Sequence, residues 1–174
     1  AAHPPTHEVR ICERTSWSCA HGIERWQGEC GCHTGLQPGW SQAWRRPLRE
    51  AIVTVRDALA PRSEEALAAL LSDPQEARDA AVDPVIGRWS DESVAAFFSR
   101  YAPDGIDAEG RRRVLALLEM ERQAMLMQTS CGWFFDDITE PGSVQVMRHA
   151  KRAMDIARQV LGIDLEAAFV EILR

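Results

Sequence analysis

An all-α fold is predicted for this chain: a bundle of about six to seven helices preceded by an irregular loop rich in Cys, His and Trp. Three observations predict it. Apolar residues recur at three- and four-residue spacing through most of 41–174, and capping residues stand in front of most of these runs. Between Thr15 and Gly39, by contrast, Cys19, His21, Cys30, Cys32 and His33 crowd together with Trp17 and Trp26, and no helical period is sustained.

The elements follow in order. Val9-Arg10-Ile11-Cys12 alternates enough for a short strand, but a lone strand needs a partner, so residues 1–40 read as an extended arm followed by the motif loop. Ser41 is placed to cap a helix to about Ala60, with Trp44, Leu48, Ile52, Val55 and Leu59 on one face and Pro61 as its stop. Ser63, Glu64 and Glu65 open a second helix bearing Leu67, Leu70 and Leu71. Pro74 suits the first turn of another that runs toward Asp83. Ser90-Asp91-Glu92-Ser93 begins the next, with Phe97, Phe98 and Tyr101 inside and Pro103-Asp104-Gly105 ending it. Asp107 caps the longest, to about Thr129, whose buried stripe is Val114, Leu115, Leu118, Met125 and Leu126. Helices from about Ser143 to Leu161 and from Asp164 to Leu173 close the chain.

The 174 residues fit one domain, with residues 41–174 as its bundle. With 45% hydrophobic and 26% charged residues the composition is that of a folded chain. The formal net charge of -6 argues against nonspecific binding of nucleic acid or an anionic membrane. Arg111-Arg112-Arg113, the one dense basic run, reads as a solvated helix face. No apolar stretch reaches the roughly 18–20 residues of a membrane span, and Ala1 to Glu8 lacks a signal peptide's apolar region, so a cytoplasmic setting is expected. The chain begins without Met and enters the motif region almost at once, which reads as a domain excised from a longer protein.

The cysteines carry the most distinctive chemistry. Cys12, Cys19, Cys30, Cys32 and Cys131 are odd in number, so they cannot all pair within the chain. Cys19-Ala20-His21 and Cys30-Gly31-Cys32-His33 bring soft thiolates and imidazoles close together. Zn(II) takes four such ligands in a tetrahedron, and four thiolates could instead hold an iron-sulfur cluster. The candidate ligands are Cys19, Cys30, Cys32 and Cys131, with His21 as an alternative to one of them. The spacing is not that of a Cys-x-x-Cys knuckle, and buried free thiols packed as small hydrophobes remain the other reading.

Six Trp stand against one Tyr. Flat indoles stack on sugar rings and also fill cores. Trp44 matches a core face, whereas Trp17, Trp26 and Trp133 lie in irregular segments beside polar groups, as candidates for a ligand wall. Asp136 and Asp137 are adjacent, and neighbouring carboxylates diverge rather than flank a scissile bond, so Asp136 is a candidate for ligand contact or capping and no catalytic pair is assigned.

Glu13-Arg14-Thr15-Ser16-Trp17-Ser18-Cys19-Ala20-His21-Gly22-Ile23-Glu24-Arg25-Trp26, followed by Cys30-Gly31-Cys32-His33-Thr34-Gly35, resembles a C-terminal domain of unassigned function carried by proteins of the family-57 glycoside hydrolase type. Thr129-Ser130-Cys131-Gly132-Trp133-Phe134-Phe135-Asp136 is similar to a second block of that domain. In that family a (β/α)7 barrel carries the catalytic Glu and Asp, and a helical domain helps complete the substrate cleft through a Ser-Asp-Trp-aromatic motif. The resemblance implies that Trp133 lines a glycan site, with Gly132 standing where the motif has its acid. It also implies a catalytic barrel in the same longer protein as partner, and an α-glucan-like polysaccharide as ligand. Nothing in the chain alternates strand with helix, so the barrel and its carboxylates are absent and the segment is expected to be inactive alone.

The expected function is thus an accessory domain of a carbohydrate-active enzyme, with Trp17, Arg25, Trp26, Trp133 and Asp136 as candidate glycan contacts. The alternative is a zinc or iron-sulfur module with a structural or redox role.

Overall fold

A computed structural model of the chain describes residues 4–28, 30–35, 37–86 and 89–174. Among these residues every regular element is a helix. The elements are α1 (Glu24–Gln27), α2 (Arg45–Ala68), α3 (Pro74–Ala80), α4 (Val82–Ile86), α5 (Asp91–Tyr101), α6 (Ala108–Leu126), a 3-10 turn (Ser130–Trp133), α7 (Pro141–Leu161) and α8 (Glu166–Ile172). Residues 1–3 of the expected arm lie outside the described residues. The rest of the arm, including Val9 to Cys12, is exposed and forms no strand, because no neighbouring segment offers it a ladder of partners.

The core is one apolar cluster shared by the long helices. Leu48, Ile52, Val55, Leu59 and Leu67 of α2 meet Val114, Leu117 and Met120 of α6, and Val146, Ala150, Ala153 and Met154 of α7. Helix α7 packs on α6 and on the 3-10 turn, and α2 packs on α6, α7 and α8, so α2 is the spine of the bundle.

Local capping fixes several boundaries. The side chains of Asp73, Ser90 and Asp107 accept hydrogen bonds from the backbone N–H of Glu76, Ser93 and Gly110, at the starts of α3, α5 and α6. Gly162, at φ 70°, ends α7 in the left-handed conformation that suits a residue without Cβ.

The structure corrects the expectation around Pro61. Helix α2 runs unbroken from Arg45 to Ala68, with Pro61 inside it, and Ser63 is a buried helical residue rather than a cap. Leu59, Ser63 and Leu67, four residues apart, all face the core, and the Ser63 hydroxyl donates to Glu121 Oε1 at 2.7 Å. Burial of that face on both sides of the proline outweighs the single helical hydrogen bond the proline removes. Ser41 likewise does not cap, since α2 starts only at Arg45.

Candidate metal centre

The motif loop folds back on the start of α2 and on the 3-10 turn, and this brings four of the candidate ligands together. The ligand atoms of Cys19, His21, Cys30 and Cys32 all lie within 4.8 Å of one another. Cys19 Sγ is 3.4 Å from Cys30 Sγ, and His21 Nδ1 is 3.5 Å from Cys30 Sγ and 3.4 Å from Cys32 Sγ. The Cys19 and Cys30 thiols are buried, Cys32 is half-buried and His21 is exposed.

Backbone donors favour the anion at Cys19, while Cys30 holds its proton. The Cys32 N–H donates to Cys30 Sγ at 3.4 Å. Such donors favour thiolate over thiol. Burial pushes Cys19 up, but hydrogen bonds from Cys30 and from the His21 and Arg25 backbone more than offset it, and the group comes down to about 7. Burial, together with the adjoining Cys19 charge, pushes Cys30 up to about 11. The two behave as a pair that gives up one proton readily and the second reluctantly. Gly22, at φ 72°, turns the chain between His21 and α1; a Cβ there would come within 2.6 Å of the Arg14 carbonyl oxygen, so this turn needs glycine.

The loop is anchored to residues 130–136 by contacts between segments about a hundred positions apart. Trp26 Nε1 donates to the Ser130 carbonyl at 2.8 Å, and Arg25 Nη1 to that of Phe134 at 3.0 Å. The Thr34 N–H and hydroxyl both donate to the Asp136 carboxylate, at 2.7 and 2.6 Å. Arg45, fully buried at the first position of α2, donates from Nη1 to the carbonyls of Cys30 and Cys32 at 2.8 and 2.6 Å, and from Nη2 to that of Phe135 at 3.0 Å. Burial and the neighbouring Arg25 lower the Arg45 pKa, against the opposing pull of Cys30, Asp136 and Cys32. Arg45 and Thr34 were not apparent as site residues from the sequence. One signal was available: a cation in the first turn of a helix opposes the helix dipole and calls for a specific partner.

Other candidates are placed differently. Cys131 is exposed and stands outside the four-residue group, because the 3-10 turn directs it into a neighbouring groove. Trp133 is completely buried, with its Nε1–H donating to the Arg45 carbonyl at 3.1 Å and the Arg49 guanidinium stacked 3.9 Å above its ring, so it presents no face to a glycan. Arg25 and Asp136 are buried too, and their polar atoms hold the fold. Gly132 has no room for the acid of the resembled motif, since a Cβ would approach Val146 Cγ2 to 2.5 Å. Trp17 is 91% exposed, and Trp26 is partly buried. Both line an open groove of about 1140 Å³, with Arg49, Arg56, Cys131 and Phe134 among the other walls.

A family model described as a domain of unknown function, DUF3536, matches residues 40–174. The chain belongs to this family. The DUF3536 match begins at Trp40 and takes in Arg45, the 3-10 turn and the whole of α2 to α8, while the four clustered ligands lie upstream of it. No curated protein and no solved structure matches the chain. No helix among the described residues is long and apolar enough to cross a membrane.

Proposed function

We propose that Cys19, His21, Cys30 and Cys32 hold a single zinc ion whose role is structural, fastening the N-terminal loop to the DUF3536 helical bundle. The observation that carries this reading is the four-way convergence of the ligand atoms within 4.8 Å. Zinc bonds of about 2.3 Å to sulfur and 2.0 Å to nitrogen place tetrahedral ligands roughly 3.3–3.8 Å apart. Three of the six separations, at 3.4 to 3.5 Å, come close to these edges, and the others fall within 4.8 Å. Iron-sulfur clusters spread four ligands over two or four iron atoms, so that some ligands stand farther apart than any that share one ion, and the convergence of all four within 4.8 Å favours a mononuclear site. Three thiolates and one imidazole leave no open coordination position, as in structural rather than catalytic zinc sites. A reducing, cytoplasmic compartment belongs to this reading, since the ligands must stay as thiolates. Elemental analysis and a visible spectrum of protein purified without oxygen test it. One zinc per colourless chain is expected, and a folded chain free of bound metal overturns it.

The groove beside the loop favours a second, compatible reading. An indole as exposed as Trp17, with Trp26 and arginines nearby, suits stacking on sugar rings and hydrogen bonding to hydroxyls. Together with the resemblance to family-57 glycoside hydrolase proteins, this supports an accessory domain beside a catalytic barrel acting on an α-glucan-type polysaccharide. The binding role falls on Trp17 and Trp26 rather than on Trp133. In affinity electrophoresis through α-glucan, Trp17→Ala should migrate faster than the unaltered chain; equal retardation removes Trp17 from that role.

A further inference from the structure

The buried charges of this molecule are gathered in one place. Among the described residues the buried charged side chains are Arg25, Arg45 and Asp136, and all of them surround the Cys/His loop. Arg45 is completely buried, and its Nη1 and Nη2 are bonded to the neutral carbonyls of Cys30, Cys32 and Phe135. These carbonyls serve Nη1 and Nη2, leave the buried Nε–H without a partner, and supply no counter-charge, and a buried cation without one is costly. Asp136 offsets one of the two guanidiniums, leaving one positive charge over. A divalent ion held by three thiolates and a neutral imidazole carries one net negative charge, which closes the balance. A trivalent ion on the same ligands would leave the surplus, and four thiolates would overshoot it.

We propose that Arg45 is the charge-balancing positioning residue of the metal centre, selecting a dication on a three-thiolate, one-imidazole set while bracing the backbone of two of its ligands. This rests on the zinc reading above. Bidentate use of Nη1 fixes the Cys30 and Cys32 carbonyls relative to each other, so the spacing of those thiolates is set before any ion arrives. The third carbonyl, from Phe135, ties the arrangement to the far segment of the chain.

Zinc affinity of the full chain, measured by competition with a chromophoric chelator while circular dichroism follows folding, tests the proposal. Arg45→Met should weaken zinc binding about 10- to 100-fold. Arg45→Lys, which keeps the charge but not the planar fork, should recover a large part of that loss. Loss of the same size in Arg45→Met and Arg45→Lys, or no loss in Arg45→Met, overturns the charge role. Where Arg45→Met fails to fold, Arg45→Lys decides: binding within several-fold of the unaltered chain supports the proposal, and a loss of about 10-fold or more overturns it. The two levels fail differently, since an unaltered chain that binds no zinc defeats both the metal centre and its charge balance, whereas zinc binding indifferent to these substitutions defeats only the latter.

Discussion

At Trp133 a side chain with a recognisable motif around it turns out to serve the fold. Its ring lies under the Arg49 guanidinium and its N–H reaches the Arg45 carbonyl at the start of α2, which leaves the indole fully enclosed. Trp133→Ala should therefore destabilise the chain by about 3–5 kcal/mol, the usual cost of emptying a buried aromatic site. Urea titration reads this directly, and a change below about 1 kcal/mol would contradict the packing described. The sequence around Trp133 could not reveal its burial: a four-residue 3-10 turn has no apolar period to mark an inner face, and the residues that enclose it come from α2, more than eighty positions earlier. Trp17 shows the converse. It sits in an equally aperiodic segment and is nearly all exposed, so the same local pattern led to opposite environments.

Among the elements, boundaries set by local chemistry were legible and boundaries set by tertiary packing were not. Ser90 and Asp107 start helices because their side-chain oxygens reach backbone donors three residues on, a relation contained within the sequence, and Asp73 does the same beside the Pro74 that marked the start of α3. Pro61 marks the limit of such reasoning. Its propensity favours a break, yet Leu59, Ser63 and Leu67 share one buried face and carry α2 through it. Pro61→Ala restores a backbone donor and removes the ring's steric conflict at an exposed position, at some cost from a more flexible unfolded chain. A net stabilisation of about 1–2 kcal/mol is expected from denaturant unfolding. A loss of stability would show that the helix is built around the proline rather than in spite of it.

For the whole molecule, the all-helical class was legible from periodicity, and the crowding of Cys19, His21, Cys30 and Cys32 was visible because they are close in sequence. The exclusion of Cys131 was not visible, since it depends on how a segment a hundred residues away docks. The folded loop itself makes the stability of the metal-free chain sensitive to pH. The Cys19–Cys30 pair releases its first proton at about 7 and keeps the second to about 11, against 9.0 for an unperturbed thiol. Between about pH 7 and 9 the unfolded chain binds more protons than the native chain, so stability rises with pH; above about 9 the retained Cys30 proton reverses the sign. Urea midpoints under chelator and reductant should rise over that first interval in the unaltered chain and stay level in Cys19→Ser. A parallel rise in both would place the titrating group elsewhere.

The long-range anchoring of the N-terminal loop also orders events in time. Cys19, Cys30 and Cys32 are synthesised first, but the carbonyls and carboxylate that seat their loop belong to Phe134, Phe135 and Asp136. At roughly 5–20 residues per second, a ribosome needs several seconds to cover the intervening hundred or so positions. Throughout that interval the thiols lack the carbonyl and carboxylate contacts that seat their loop. The loop can therefore take its native seat only late in synthesis, after residues 134–136 have been made.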